Sequence, residues 1–126
     1  MTKFLLDTCT LIWYFEDSKR IVTIKELIKS KKSEIFISTV SLWEMMLKIR
    51  SGKLNLNLNI IKLFMERNAF IELPITSDYT KAYLELPKHH NDLFDHMLLA
   101  QAITCPMRLI TGDAILAEYS ALVMVI

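Results

Sequence analysis

Four carboxylates are the residues of this sequence that could do chemistry together. Asp7 and Asp113 follow the apolar runs FLL and RLITG, while Glu44 lies in SLWEMMLK and Asp95 in DLFDHMLL. Each also has a structural interpretation. Asp7 and Asp113 could be helix caps, and Asp95 could be an acid near a helix N-terminus. Glu44 could pair with Lys48 on a solvated helix face. If all four converge, nearby cations do not neutralise them, and a divalent metal would relieve their repulsion.

Oxygen ligands decide which metal such a cluster would take. Carboxylates favour Mg²⁺ or Mn²⁺ over zinc, and these ions promote phosphodiester hydrolysis by activating water and stabilising the leaving oxygen. The number of ions is left open. Zinc is disfavoured because none of its usual ligand spacings relates the histidines and cysteines, which are His89, His90, His96, Cys9 and Cys105. The first two histidines are expected in the loop before Asp92, which is interpreted as a structural N-cap.

Alternating strands and helices are expected to position the acids. The predicted strands cover residues 3–7, 34–38, 69–73, 108–111 and 122–126. The predicted helices cover residues 8–16, 20–31, 39 to near Gly52, 59–67, 77–86 with Ser77 or Asp78 as cap, 92–104 and 113–119. This alternation predicts one α/β domain over residues 1–126, with a parallel sheet covered on both faces. Ligands bind at the carboxyl edge of such sheets, where Asp7 and Asp113 would lie.

Composition excludes several classes of protein. Two glycines, Gly52 and Gly112, are too few for a P-loop or a dinucleotide fingerprint. Two cysteines indicate a reducing, cytoplasmic compartment. No apolar run reaches the ~18 residues of a membrane span, and no signal peptide is expected. The net charge of +1 neither indicates nor excludes a nucleic-acid partner.

Five segments in order and spacing resemble the PIN-domain family, and most closely the toxin ribonucleases of bacterial VapBC toxin–antitoxin pairs. They are LLDTCTLIW, SLWEMMLKIRSGKL, LPIT, HNDLFDHMLLAQA and LITGD, and the resemblance spans residues 3–118. It implies a three-layer α/β/α sandwich, metal-dependent endoribonuclease activity, a cognate antitoxin that covers the cleft, and a homodimer. The implied catalytic and metal-binding acids are Asp7, Glu44, Asp95 and Asp113, with Thr8 and Thr111 as supporting hydroxyls.

Two positions depart from the family pattern. Leu93 stands where members commonly have proline, and His96 stands where they commonly have arginine. The first change removes some preorganisation at a helix start. The second removes a permanent charge, so contacts to RNA or to an antitoxin are expected to differ from those of the family.

Basic residues must flank an acidic cleft that receives RNA. The cluster Lys29, Lys31 and Lys32 is interpreted as a solvated helix end. A second cluster follows Glu44 on its helix and is predicted to contact RNA phosphates at the cleft rim; it comprises Lys48, Arg50 and Lys53.

The residues around Asp7 disfavour two other classes of protein. A dehalogenase-like phosphatase needs a second acid where Cys9 stands, and a receiver domain needs paired acids there and a later phosphoacceptor aspartate. The alternative that stays open is a non-catalytic PIN-like module that binds RNA or protein.

Overall fold

The computed structural model describes residues 1–88 and 92–126, so His89 and His90 lie outside the described residues. The strands are β1 (Thr2–Leu6), β2 (Ser33–Ser38), β3 (Ile71–Leu73), β4 (Arg108–Thr111) and β5 (Val123–Val125). The α-helices are α1 (Thr8–Phe15), α2 (Lys25–Lys29), α3 (Thr39–Arg50), α4 (Leu58–Arg67), α5 (Ser77–Glu85) and α6 (Leu93–Thr104). Two 3₁₀ helices span Lys19–Ile21 and Ala114–Glu118.

The strands form one parallel five-stranded sheet in the order β3-β2-β1-β4-β5. The chain builds outward from β1 to β2 and β3, and then returns to place β4 on the other side of β1. The strand order therefore switches between β1 and β4, and ligands of open α/β sheets bind at the carboxyl edge of such a switch point. Asp7 and Asp113 follow these two strands.

Two apolar cores on opposite faces of the sheet confirm the predicted α/β/α sandwich. Neighbouring side chains of a strand point to opposite faces. Leu6 packs in one core with Leu11 of α1 and Ile61 of α4. Leu5 packs in the other core with Leu98 of α6. Because both faces are covered, the central strands are nearly continuous apolar runs.

The helix predicted over 20–31 is wrong in extent. The structure has a 3₁₀ turn over Lys19–Ile21 and a short α2 over Lys25–Lys29. The intervening stretch IVTI is entirely β-branched, and such side chains lose rotamer freedom in a helix. The predicted cap of α5 is also wrong. The N-cap of this helix is Thr76 rather than Ser77 or Asp78, and its side chain accepts no capping hydrogen bond.

Other predicted features are confirmed. Gly52 follows α3 with a φ of 79°, the left-handed conformation that favours glycine after a helix. Asp92 caps α6 by accepting hydrogen bonds from the N–H groups of Phe94 and Asp95. Among the described helices, none combines the length and apolar character needed to cross a membrane.

Candidate active site

The carboxyl edge of the sheet holds a cleft of about 330 Å³ that is lined by all four predicted acids. Asp7 follows β1, Glu44 projects from α3, Asp95 lies in the first turn of α6 and Asp113 lies two residues beyond β4. The structure thus brings together side chains that are far apart in sequence. The cleft is also lined by Thr8, Cys9, Trp13, Arg20, Asp92 and Gly112.

Asp7 is both a helix cap and a cleft residue, so its two interpretations hold together. It is buried, with 5% of its surface exposed. Its Oδ1 accepts a hydrogen bond from the Thr10 N–H at 2.8 Å, which caps α1. Its Oδ2 accepts one from the Thr111 hydroxyl at 2.6 Å. These bonds fix the orientation of the carboxylate.

Thr111 links the acids of two neighbouring strands. While its hydroxyl donates to Asp7, its oxygen accepts the Asp113 N–H at 3.0 Å. The Asp113 side chain in turn accepts the Ile115 N–H at 3.0 Å and caps the second 3₁₀ helix. The predicted supporting hydroxyl of Thr111 therefore has direct contacts to both acids.

Glu44 and Asp95 are brought together by the packing of α3 on α6. The aromatic residues that precede them, Trp43 and Phe94, meet edge to face with ring centroids 5.1 Å apart. Both acids are half-buried. Contact between the two helices thus sets the width of the cleft on this side.

The cleft concentrates negative charge in a partly dry environment. Burial raises the pKa of Asp95, and the charges of Asp92, Asp7, Glu44 and Asp113 raise it further, to about 8. Burial also raises the pKa of Asp7, against the opposing effect of its hydrogen bonds from Thr111 and Thr10. Both shifts arise first from burial, and neighbouring carboxylates add to them.

The donor chemistry of the cleft fits a hard dication. Carboxylate and hydroxyl oxygens are the ligands of Mg²⁺ and Mn²⁺. The Thr8 hydroxyl oxygen is buried beside Asp7 and has no hydrogen-bond partner within the described residues, so it is an unused oxygen ligand at the cleft. Over residues 1–88 and 92–126, no three Asp, Glu, His or Cys side chains already stand as a compact metal-binding group. The acids share the cleft without being drawn around one point.

A family model for the PIN domain matches residues 4–122. This chain belongs to the PIN domain family. No curated protein is a detectable relative by sequence.

Solved structures with the same fold include VapBC complexes. VapBC2 from Rickettsia felis, bound to a promoter DNA fragment, is 18% identical with a TM-score of 0.75, covering 99% of this chain and 98% of that one. DNA-bound VapBC from Salmonella typhimurium is 20% identical with a TM-score of 0.71, covering 100% and 98%. A toxin–antitoxin complex from Klebsiella pneumoniae is 20% identical with a TM-score of 0.68, covering 95% and 94%. At these identities the likeness establishes the fold.

Five residues that line the cleft of this PIN domain were not predicted from the sequence; they are Cys9, Trp13, Arg20, Asp92 and Gly112. Asp92 caps α6 as predicted but also lines the cleft, and its spacing of three from Asp95 was a signal that both share a helix face. Arg20 and Trp13 line the cleft as well. Their position depends on how the first 3₁₀ helix folds back on α1, for which the sequence carries no local signal.

The predicted RNA-binding cations do not line the cleft of the PIN domain. Lys48 is half-buried and close enough to Cys9 to oppose the rise in its pKa, which burial and Asp7 cause. Arg50 ends α3 and Lys53 lies three residues beyond it, both exposed. Contact of these cations with RNA stays a prediction.

The two departures from the family pattern have different structural consequences. Leu93 is exposed at the start of α6, where Asp92 supplies the cap. His96 is buried, with its Nε2 2.7 Å from the Tyr119 hydroxyl and its ring packed against those of Tyr83 and Tyr119. In this PIN domain the position therefore joins α6 to the segment after Asp113 rather than lining the cleft.

Proposed function

We propose that this PIN domain is a metal-dependent endoribonuclease and the toxin of a toxin–antitoxin pair. Mg²⁺ or Mn²⁺ would be held by Asp7, Glu44, Asp95 and Asp113. The observation that carries the proposal is the convergence of these acids in one cleft at the switch point of the sheet. Membership of the PIN domain family and the shared fold with VapBC complexes support the same function.

The residues of the cleft have separable roles in this proposal. A dication bound there would polarise the scissile phosphate and lower the pKa of a bound water. Thr111 and the Thr10 N–H hold the Asp7 carboxylate in one orientation. This carboxylate would therefore need little reorganisation to bind an ion. Burial and the neighbouring carboxylates raise the pKa of Asp95 to about 8, so this side chain would have to release a proton to become a ligand.

Exposed apolar side chains support a protein partner. On α3 and α4 the exposed fractions reach 52% for Trp43, 41% for Leu58 and 46% for Leu63. Contiguous exposed apolar surface marks interaction sites. We assign such surface to a cognate antitoxin and to a second copy of the chain. The free thiols of Cys9 and Cys105 agree with the proposed cytoplasmic location.

The test is cleavage of single-stranded RNA by purified protein free of antitoxin. Wild type with Mn²⁺ is expected to cut the RNA, and EDTA is expected to stop it. Asp7→Asn should lower the rate by about a hundredfold or more, because it removes a ligand charge. The control is Asp17→Asn, which changes an exposed acid paired with Lys25 outside the cleft.

Each outcome of this test discriminates between functions. Cleavage that survives EDTA, or that Asp7→Asn leaves unchanged, contradicts the proposal. Binding of RNA without any cleavage supports the alternative, a non-catalytic RNA-binding module.

A further inference from the structure

Arg20 is a cation in the wall of the acidic cleft that pairs with none of the described acids. It lines the cleft beside Asp7 and Asp113. The ion pair formed within residues 1–88 and 92–126 joins Lys25 to Asp17 instead. The guanidinium of Arg20 lies over the ring of Trp13, 4.6 Å from its centroid. An aromatic face therefore holds this cation where carboxylates were available to pair with it.

The aromatic platform is itself fixed against the site. A Cβ atom added at Gly112 would lie 2.5 Å from the Trp13 ring, so the ring packs directly on the main chain at the residue before Asp113. The main chain of Arg20 is anchored too, since its N–H donates to the Ser18 hydroxyl at 3.2 Å and the adjacent Ile21 is fully buried. Position and orientation of Arg20 are thus tied to the turn that carries Asp113.

Within the described part of the chain, the Arg20 side chain lies over Trp13 and forms no ion pair. A guanidinium stacks through its face, and its N–H groups lie in its plane. That fork matches two oxygens of a phosphate. A cation held this way attracts a polyanion into a cleft whose carboxylates would otherwise repel it.

We propose that Arg20 is a substrate-positioning residue that binds a phosphate of the RNA strand at the wall of the cleft. This inference rests on the proposed function. It identifies Arg20 as the residue that binds the substrate at an otherwise acidic site. The phosphate is one that does not react, so Arg20 contributes equally to the bound substrate and to the transition state.

The experiment measures binding of a labelled single-stranded RNA in EDTA over a series of salt concentrations. Arg20→Gln should weaken binding about tenfold, because a charge-assisted hydrogen bond is lost. It should also reduce the slope of log affinity against log salt by about 0.7, the value for one phosphate contact to a single strand. The matched control is Lys19→Gln, which removes the same charge from an exposed neighbour outside the cleft.

Steady-state cleavage with Mn²⁺ gives the second readout. Arg20→Gln should raise KM and leave kcat nearly unchanged, as expected when uniform binding is lost. Arg20→Lys should keep the salt slope and recover part of the affinity, because it retains the charge without the planar fork.

The outcomes separate this inference from the function beneath it. Wild type that binds RNA without cutting it contradicts the proposed nuclease, while the binding comparison still decides the role of Arg20. If Arg20→Gln matches Lys19→Gln in affinity and salt slope, Arg20 does not contact RNA. Wild type that neither binds RNA in EDTA nor cuts it with Mn²⁺ overturns both proposals.

Discussion

The two edges of the sheet carry opposite charge. At the carboxyl edge, the cleft of about 330 Å³ is lined by acids that include Asp7 and Asp113. At the amino edge, a cavity of about 450 Å³ is lined by Lys29, Lys31 and Arg67. The larger of these two cavities is thus not the one lined by the acids. A net charge of +1 conceals this separation.

Strand direction explains the separation. In a parallel sheet every residue that follows a strand comes to one edge, and every residue that precedes a strand comes to the other. Asp7 and Asp113 follow strands, while Lys29 ends α2 and Lys31 lies between α2 and the start of β2. The position of a charged residue relative to its strand is therefore more informative than the total charge.

The largest expected effect is the difference in RNA cleavage rate between two variants, each of which removes one charge from a different edge of the sheet. Glu44→Gln should lower Mn²⁺-dependent RNA cleavage by about a hundredfold or more, since in the proposed function it removes a ligand of the activating ion. Lys31→Gln should change the rate by no more than about twofold, because surface charges at a distance are screened. Initial rates at one RNA concentration measure both, and similar losses in the two variants would remove the functional distinction between the edges.

Two glycine substitutions give a smaller, structural contrast. Gly112→Ala should cost about 1 kcal/mol or more in unfolding free energy, because the new methyl group displaces the Trp13 ring. Gly52→Ala should also cost about 1 kcal/mol, but through its positive φ and with open space around it. Urea unfolding gives the energies, and tryptophan emission in a Trp43→Phe background reports on Trp13.

These substitutions differ in what they do to the cleft. Only Gly112→Ala should shift the emission of Trp13 and weaken binding of RNA. Unchanged emission in that variant would show that Trp13 is not held against the turn before Asp113.

A third effect concerns the stability of the metal-free protein. Burial and the four surrounding carboxylates raise the pKa of Asp95 from 3.8 to about 8. As pH rises through this window, the unfolded chain ionises at Asp95 while the folded chain keeps its proton. The free energy of unfolding therefore falls between pH of about 4 and 8. Asp95→Asn should flatten this fall and raise the melting temperature at neutral pH by a few degrees, measured in EDTA.

The matched control for that effect is Asp17→Asn. The hydrogen bond from Lys25 lowers the pKa of the exposed Asp17, so its removal should not raise the melting temperature. Asp95→Asn should also reduce the stabilisation that Mn²⁺ confers. Large destabilisation of the metal-free protein with an unchanged response to Mn²⁺ would make Asp95 a purely structural residue.

Most of the fold was predictable because its periodic segments are long and their ends are marked. Strand β4 matches its prediction at both ends, and α3 ends just before Gly52 as expected. The segment 20–31 was not predictable from its apolar spacing, because its β-branched residues 21–24 break the helix that the spacing favours.

The cleft was predictable only where a residue's position follows from its own element. Asp7 and Asp113 follow strands, so topology brings them together. Arg20 and Trp13 enter the cleft through contacts between a 3₁₀ turn and α1, which leave no periodic trace in the sequence. Asp92 was assigned a single role as a cap, although cap and cleft residue are compatible, as Asp7 shows.

Calorimetric titration of Mn²⁺ into the metal-free protein tests most directly whether the gathered acids form a site for a dication. Wild type is expected to bind Mn²⁺ saturably and to release protons as it does so. Asp113→Asn is expected to weaken that binding about tenfold or more, since one charged ligand is lost, whereas Asp78→Asn on the exposed start of α5 is expected to leave it unchanged. Absence of saturable binding in wild type, or equal affinity in wild type and Asp113→Asn, would contradict the account.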